Sequence, residues 1–225
     1  MEFSQIIIIL PILLFSVIVH EIAHGWTALR CGDPTARDAG RLTLNPIPHI
    51  DPFMTILLPL LLIVSGAGIV FGGAKPVPVN PYLFRRGERD NVLVSASGAA
   101  ANLLLALAAF LLSLLAIGFY RATGYGLVIE LLGLLNLVIF INLLLANFNL
   151  LPIPPLDGSH ILAYFLRGET KAAYLRLSRY GFMVLLGVIL LGDLLPIPGG
   201  LFSILFAPTF AVREFLIRFQ VGFLV

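Results

Sequence analysis

Apolar residues fill long runs of this chain, and shorter polar stretches separate the runs. The runs long enough to cross a membrane lie at about 3–25, 53–70, 92–119, 127–148, 173–192 and 200–220. Mean hydropathy is +1.02, and only 12% of the residues are charged, which excludes an ordinary soluble domain. The pattern predicts an all-α polytopic membrane protein with about six membrane helices in a lipid bilayer.

Basic residues indicate how the chain crosses the membrane. Arg30–Arg41 follow the first run and Arg85–Arg89 precede the third, and basic loops are usually cytoplasmic. A full crossing by 53–70 alone would separate these two clusters. Residues 72–80 are rich in proline and can return in extended form, since nine residues at roughly 3.3 Å each cover about 30 Å. We therefore expect a small re-entrant, β-like segment there, near the candidate site at residues 20–24, and a cytosolic C-terminus.

The sequence His20-Glu21-Ile22-Ala23-His24 ends the first apolar run. On a helix, residues four apart share one face, so the imidazoles of His20 and His24 can reach one tetrahedral zinc ion. Glu21 then lies beside the open position of the metal, where it can act as a general base. Ionisable residues at membrane depth are costly and are functional by default. The motif therefore predicts a hydrolytic zinc site inside a membrane.

Catalytic zinc usually has three protein ligands and one water, so a third ligand is expected. The candidates are Asp33, Asp38, His49, Asp51, Asp157 and His160. Asp157 is favoured because the prolines of residues 152–155 break the helix just before it and can turn its carboxylate into the protein. His160 is more typical of a neighbour than of a ligand, and His49 is more typical of the membrane interface.

Five segments of the chain resemble the site-2 protease family of intramembrane zinc metalloproteases. They are HEIAH at 20–24, GRLTLNPIPHIDP at 40–52, GGAKPVPVNP at 72–81, SGAAAN at 97–102 and FNLLPIPPLDG at 148–158. They occur in the family's order and cover most of residues 20–160. The chain resembles the short form of the family, which carries neither a PDZ insertion nor a cystathionine-synthase-type regulatory module.

The resemblance implies a role for several residues. His20, His24 and Asp157 would hold one zinc ion per chain, and Glu21 would activate its water. Asn149 would help to position the substrate or to stabilise the oxyanion. Asn102 is carried over to the substrate site as well, although Ala99 stands where the family usually has proline.

We expect one membrane-embedded metalloprotease domain over residues 1–225, with a catalytic core at about 3–166 and C-terminal helices at about 172–222. The expected protein is a multi-pass protein of a prokaryotic cell membrane, with its active site toward the cytosol. Its partners would be the lipid bilayer and a transmembrane protein substrate, with no nucleic acid.

The expected function is hydrolysis of peptide bonds within or near transmembrane segments of membrane proteins. Lys75, Val77 and Val79 of the extended segment are expected to pair edge-on with an unwound substrate. A metal-binding or transport protein would need ligands at several places along a path, whereas this sequence offers one compact set. A catalytically silent scaffold for transmembrane helices would have no need of Glu21.

Overall fold

The computed structural model describes residues 3–57, 61, 73–181, 183, 184, 187 and 200–224 of the chain. The chain forms two compact units, Met1–Ala101 and Asn102–Val225, and each is described by itself. The organisation as one domain over residues 1–225 stays a prediction.

The first unit is organised around helix α1, Phe3–Cys31, which carries the HExxH sequence as predicted. Gly32 ends this helix with a positive φ of 111°, a conformation that glycine adopts far more readily than residues with a Cβ. The short helix α2, Thr35–Asp38, follows and packs against α1. Helix α3, Glu88–Thr123, begins in this unit and runs without interruption through the SGAAAN segment.

Irregular backbone connects α2 to α3. It contains a 3₁₀ turn at Ile47–His49, a π-helical turn at Pro52–Leu57 and a second 3₁₀ turn at Pro81–Leu83. Residues 73–80 form neither helix nor strand, and no strand occurs among the residues that the structure describes. The β-like pairing expected for this segment is therefore not confirmed. Proline at 76, 78 and 81 explains why it is not helical, because proline lacks the N–H that a helix needs.

A small apolar cluster fixes this segment to the helices of the first unit. Ala28 and Cys31 of α1 pack with Phe84 and with Val94 of α3, and Val79 packs against the cluster. Partial burial of Val79 against this cluster therefore places the end of the 73–80 segment beside the C-terminal end of α1.

Among the described residues, the second unit contains the rest of α3 and five further α-helices. They are α4 (Leu127–Leu150), α5 (Asp157–Phe165), α6 (Gly168–Leu177), α7 (Gly200–Leu205) and α8 (Ala207–Leu224). Ala106 and Ala109 of α3 pack against Ile139 and Leu143 of α4, and Leu216 of α8 packs on this cluster. Small residues allow such close approach where helix association cannot rely on the hydrophobic effect.

Buried polar side chains add hydrogen bonds between the helices of the second unit. The amide of Gln220 on α8 donates to the hydroxyl of Ser113 on α3 over 2.6 Å. The amide of Asn147 on α4 donates to the Leu205 carbonyl over 2.9 Å. Such bonds satisfy groups that hydrocarbon could not solvate.

Among the residues that the structure describes, three helices are long and apolar enough to cross a membrane, namely α1 over Ile7–Cys31, α3 and α4. The expected number was about six, and that number is not confirmed. The expected spans at 53–70 and 173–192 lie largely outside the described residues. The expected span at 200–220 is divided between α7 and α8 and is not among the three. Three charged residues lie within α8, namely Arg213, Glu214 and Arg218.

The predicted helix break before Asp157 is confirmed, since α4 ends at Leu150 and α5 begins at Asp157. Gly158 packs directly on the end of α4. A Cβ at position 158 would collide with the backbone carbonyls of Leu150 and Leu151. Glycine at 158 therefore allows the first turn of α5, with Asp157, to approach the end of α4.

Replacement of Gly158 by alanine tests this approach. We expect Gly158→Ala to lower the free energy of unfolding by about 1–3 kcal/mol, because the backbone must move to accommodate the methyl group. Thermal unfolding of detergent-purified protein measures the effect. Gly133→Ala in α4 is the matched control, since open space surrounds position 133 and alanine favours helix. Equal melting temperatures for the two variants would contradict the expectation.

Candidate metal centre

The two histidines of the HExxH sequence converge on one point. The Nε2 atoms of His20 and His24 lie 2.9 Å apart, and the side chains are only 5% and 8% exposed. Two nitrogen ligands of a tetrahedral zinc ion, each at about 2.0–2.1 Å from it, lie roughly 3.3 Å apart. The two imidazoles are therefore arranged almost as zinc ligands require.

A backbone carbonyl sets which nitrogen of His24 can bind a metal. Its Nδ1 lies 2.7 Å from the carbonyl oxygen of Val94 on α3. A carbonyl can only accept, so the proton belongs on Nδ1 and the lone pair on Nε2, which is the nitrogen facing His20. Metal-binding histidines usually have such a partner for their other nitrogen.

Gly98 of α3 forms a wall of the same space. A Cβ built there would lie 2.5 Å from His24 Nε2 and 2.6 Å from His20 Nε2. A side chain at position 98 would thus occupy the region into which both nitrogens point. The convergence of the nitrogens, the tautomer of His24 and the space left by Gly98 all fit a bound zinc ion.

Glu21 is held by the backbone of the 73–80 segment. Its Oε2 accepts a hydrogen bond of 2.7 Å from the amide of Val77, 56 residues further along the chain. The side chain of Val77 is 7% exposed and lies against Gly25 of α1, where a Cβ would come within 2.9 Å of Val77 Cγ1. Close packing at Gly25 therefore brings the Val77 amide to the carboxylate.

Both ends of the 73–80 segment are attached to buried groups. At one end, the Lys75 amide donates to the His49 carbonyl over 2.8 Å, and Arg41 Nη2 donates to the Lys75 carbonyl over 2.6 Å. At the other end, the Asn80 amide donates to Asp33 Oδ2 over 2.6 Å. These contacts fix the position of the segment on either side of Val77.

Burial of Asp33 tends to raise the pKa of its carboxyl group. Hydrogen bonds from the Thr35 hydroxyl and amide and from the Asn80 amide outweigh that effect, so the pKa lies below its ordinary value. Asp33 is therefore ionised at neutral pH and is a strong acceptor for the Asn80 amide.

His49 differs from the interfacial position expected for it. It is fully buried, and its Nε2 donates to the Thr43 carbonyl over 2.9 Å. It lies in the loop that holds Lys75, so its role is to shape that loop and not to face the membrane surface.

Four further candidate residues belong to the second unit. Asp157 is half-buried at the first position of α5, and His160 is exposed on the same helix. Asn149 lies in the last turn of α4, where one N–H of its amide donates to the Leu145 carbonyl over 3.0 Å. Asn102 is fully buried and donates to Asn142 Oδ1 over 2.9 Å, which ties α3 to α4. Contact of Asn102 with a substrate stays a prediction.

Two groups near the centre could not have been assigned from the motif alone. They are the Val94 carbonyl, which bonds His24, and the Arg41 side chain, which holds the 73–80 segment. The Val94 carbonyl gives no side-chain signal in the sequence. Arg41 gives a weak signal in the sequence, because it is a basic residue next to a polar, proline-rich stretch and not at the edge of an apolar run.

An HExxH zinc centre on a helix apolar enough to cross a membrane defines a class, the membrane-associated zinc metalloproteases. The chain belongs to peptidase family M50, the site-2 protease family, whose model matches residues 8–131 and 122–192. The protein is therefore a zinc metalloprotease of this family, with a zinc ion as its cofactor.

Curated relatives carry the same assignment in their names. The chain is 40% identical to YwhC of Bacillus subtilis over 184 residues, and this alignment covers 79% of the chain and 80% of the relative. It is 34% identical to Rip2 of Mycolicibacterium smegmatis over 177 residues, and this alignment covers 76% of the chain and 62% of the relative. Both names read "Putative zinc metalloprotease". No solved structure was found to match the chain.

Substitution of Gly98 tests the geometry of the centre. We expect Gly98→Ala to reduce bound zinc well below one per chain, because its methyl group would lie where both Nε2 atoms point. Elemental analysis of detergent-purified protein measures this. Gly118→Ala, on the same helix but in open space, should retain its zinc. A full zinc ion in Gly98→Ala would show that the metal lies elsewhere.

Proposed function

We propose that the protein is an intramembrane endopeptidase that hydrolyses peptide bonds within or near transmembrane segments of other membrane proteins. The observation that carries the proposal is the position of the HExxH sequence within the apolar span Ile7–Cys31. His24 precedes the end of that span by seven residues, which is about 10 Å along a helix axis. In a hydrocarbon core about 30 Å thick, this distance supports a site at membrane depth.

The basic residues at the end of α1 support the orientation of the site. Arg30 lies in the last turn of α1, and its guanidinium stacks on Trp26 with 4.2 Å to the ring centre. An arginine and an exposed tryptophan together are typical of a membrane interface, and a basic interface is usually cytoplasmic. We therefore place the active site toward the cytosol of a prokaryotic cell membrane, with the C-terminus cytosolic.

Asp157 is the third zinc ligand that we propose. Two imidazoles and one carboxylate make up a donor set that catalytic zinc sites use. The break between α4 and α5 and the glycine that follows Asp157 support this choice, because both serve to place this carboxylate at a helix start.

Glu21 is the general base in this proposal. Zinc, when bound, supplies Lewis-acid polarisation of the scissile carbonyl and of the attacking water. Glu21 takes a proton from that water and passes it to the leaving amine. The hydrogen bond from the Val77 amide keeps the carboxylate in one orientation during the transfer.

Asn149 is the residue that we propose for the oxyanion. A side-chain amide carries two N–H donors, and the contact with the Leu145 carbonyl uses one of them. The second can donate to the charge that develops on the scissile carbonyl. Asn102 has less freedom for such a contact, because its amide already bonds Asn142 in a fully buried site.

Replacement of Glu21 tests the proposed function. We expect Glu21→Gln to retain zinc and to lower the rate of cleavage by about 10²–10⁴-fold, because the variant lacks the base. The substrate is a single-span reporter in liposomes, with a tag on each side of the membrane. Glu130→Gln, an exposed position in the first turn of α4, is the matched control. Zinc-bound wild type that cleaves no transmembrane reporter would count against the proposed substrate class. Normal cleavage by Glu21→Gln would contradict the role of Glu21 as the general base.

Edge-on pairing of the substrate with the 73–80 segment is part of the same proposal. The backbone amides of Lys75 and Val77 already donate to the His49 carbonyl and to Glu21, so the pairing is proposed for Val79 alone. Val77→Pro would remove the amide that holds Glu21, so a loss of activity would have two explanations. Val79→Pro avoids this. We expect it to lower kcat/KM about tenfold with zinc unchanged, since one backbone donor is lost. Val79→Ala retains that donor and controls for packing. Equal activity of the two variants would contradict the pairing.

A further inference from the structure

Arg41 is a buried cation with an unusual partner. It is 8% exposed, and among the described residues its guanidinium has no carboxylate within hydrogen-bonding distance. Its Nη2 donates instead to the backbone carbonyl of Lys75 over 2.6 Å. Burying a charge without an opposite charge costs free energy, so surface solvation does not explain this arrangement. The hydrogen bond of its guanidinium to the Lys75 carbonyl indicates the role of Arg41.

The hydrogen bond from Arg41 fixes the N-terminal part of the 73–80 segment. Lys75 is held through its carbonyl by Arg41 and through its amide by the His49 carbonyl. Asp33 holds the other end through the Asn80 amide. Asp33 lies between α1 and α2, and Arg41 lies just after α2. The backbone amide of Arg41 donates a hydrogen bond to the Ala36 carbonyl, which fixes the backbone at this position.

Val77 lies between the two anchors. Prolines at 76 and 78 flank it and limit how far its backbone can adjust by itself. A shift of Lys75 or of Asn80 is therefore passed on to the Val77 amide, which donates to Glu21. The position of that carboxylate thus depends on groups that do not touch it.

We propose that Arg41 is a positioning residue for Glu21, acting through the Lys75 carbonyl and the Val77 amide, with Asp33 as the second anchor of the same segment. The catalytic part of this inference rests on the proposed function of Glu21 as general base. The structural part, that Arg41 fixes the Val77 amide, does not rest on that function. Hydrogen exchange can test it in the absence of substrate.

Exchange of the Val77 amide is the first measurement, made by mass spectrometry with fragmentation that resolves single residues in detergent-purified full chain. In wild type this amide should be protected. Arg41→Ala should accelerate its exchange by at least about tenfold, which corresponds to the loss of one hydrogen bond. Glu21→Ala should do the same in an otherwise intact segment, and it remains informative if Arg41→Ala fails to fold. An unprotected Val77 amide in wild type would overturn the proposal.

Arg37→Ala is the matched control, because it removes the same charge from an exposed side chain four residues earlier that bonds Asp38. Its Val77 exchange should match that of wild type. Arg41→Lys retains a cationic donor and should restore much of the protection. Equal exchange in Arg41→Ala and Arg37→Ala would overturn the role of Arg41.

Kinetics on the transmembrane reporter form the second measurement. Arg41→Ala should lower kcat by about 10–100-fold with one zinc still bound, since small displacements of a catalytic group have effects of this size. KM should change by less than about threefold, and Arg41→Lys should recover most of kcat. A loss of zinc in proportion to activity would overturn the proposal, because Arg41 would then support the metal and not the base. Wild type that shows the expected exchange but no cleavage would instead refute the proposed function alone.

Discussion

The close approach of α3 to the HExxH face of α1 is the constraint on which the centre depends. At Gly98 the two helices leave no room for a side chain, and four residues earlier the Val94 carbonyl accepts a hydrogen bond from Nδ1–H of His24. The first feature leaves space in front of both Nε2 atoms. The hydrogen bond to the Val94 carbonyl places the proton of His24 on Nδ1, so that the lone pair of Nε2 points into that space. A wider separation of the helices would remove both effects together.

A second dependence links the base to the irregular backbone. Glu21 is one residue from His20, but its hydrogen-bond partner comes from Val77, and Arg41 and Asp33 hold the segment that carries Val77. Non-helical backbone at membrane depth must satisfy its polar groups within the protein. Here the same hydrogen bonds that satisfy the segment also orient the carboxylate. In the proposed mechanism, one set of contacts therefore satisfies the backbone of the segment and positions the catalytic carboxylate.

Local signals in the sequence predicted the parts of the site that local physics determines. The helical HExxH follows from the spacing of His20 and His24, and the end of α4 follows from prolines that cannot continue a helix. The roles of Arg41 and Asn102 could not be predicted in this way, because their partners lie 34 and 40 residues away. His49 was expected at the interface from its neighbours in sequence, and tertiary contacts bury it. The span expected at 200–220 is not confirmed, since three charged residues lie in the otherwise apolar helix α8.

The central proposal is that His20, His24 and Asp157 hold one zinc ion through two imidazoles and one carboxylate. X-ray absorption at the zinc edge of detergent-purified wild type, compared with Asp157→Ala, tests it most directly. Two nitrogen ligands with imidazole scattering and oxygen ligands at about 2.0–2.2 Å are predicted for wild type, with fewer protein ligands and weaker zinc retention in the variant. A spectrum that shows sulfur or a single imidazole, or identical spectra and zinc contents for the two proteins, would contradict the assigned ligands.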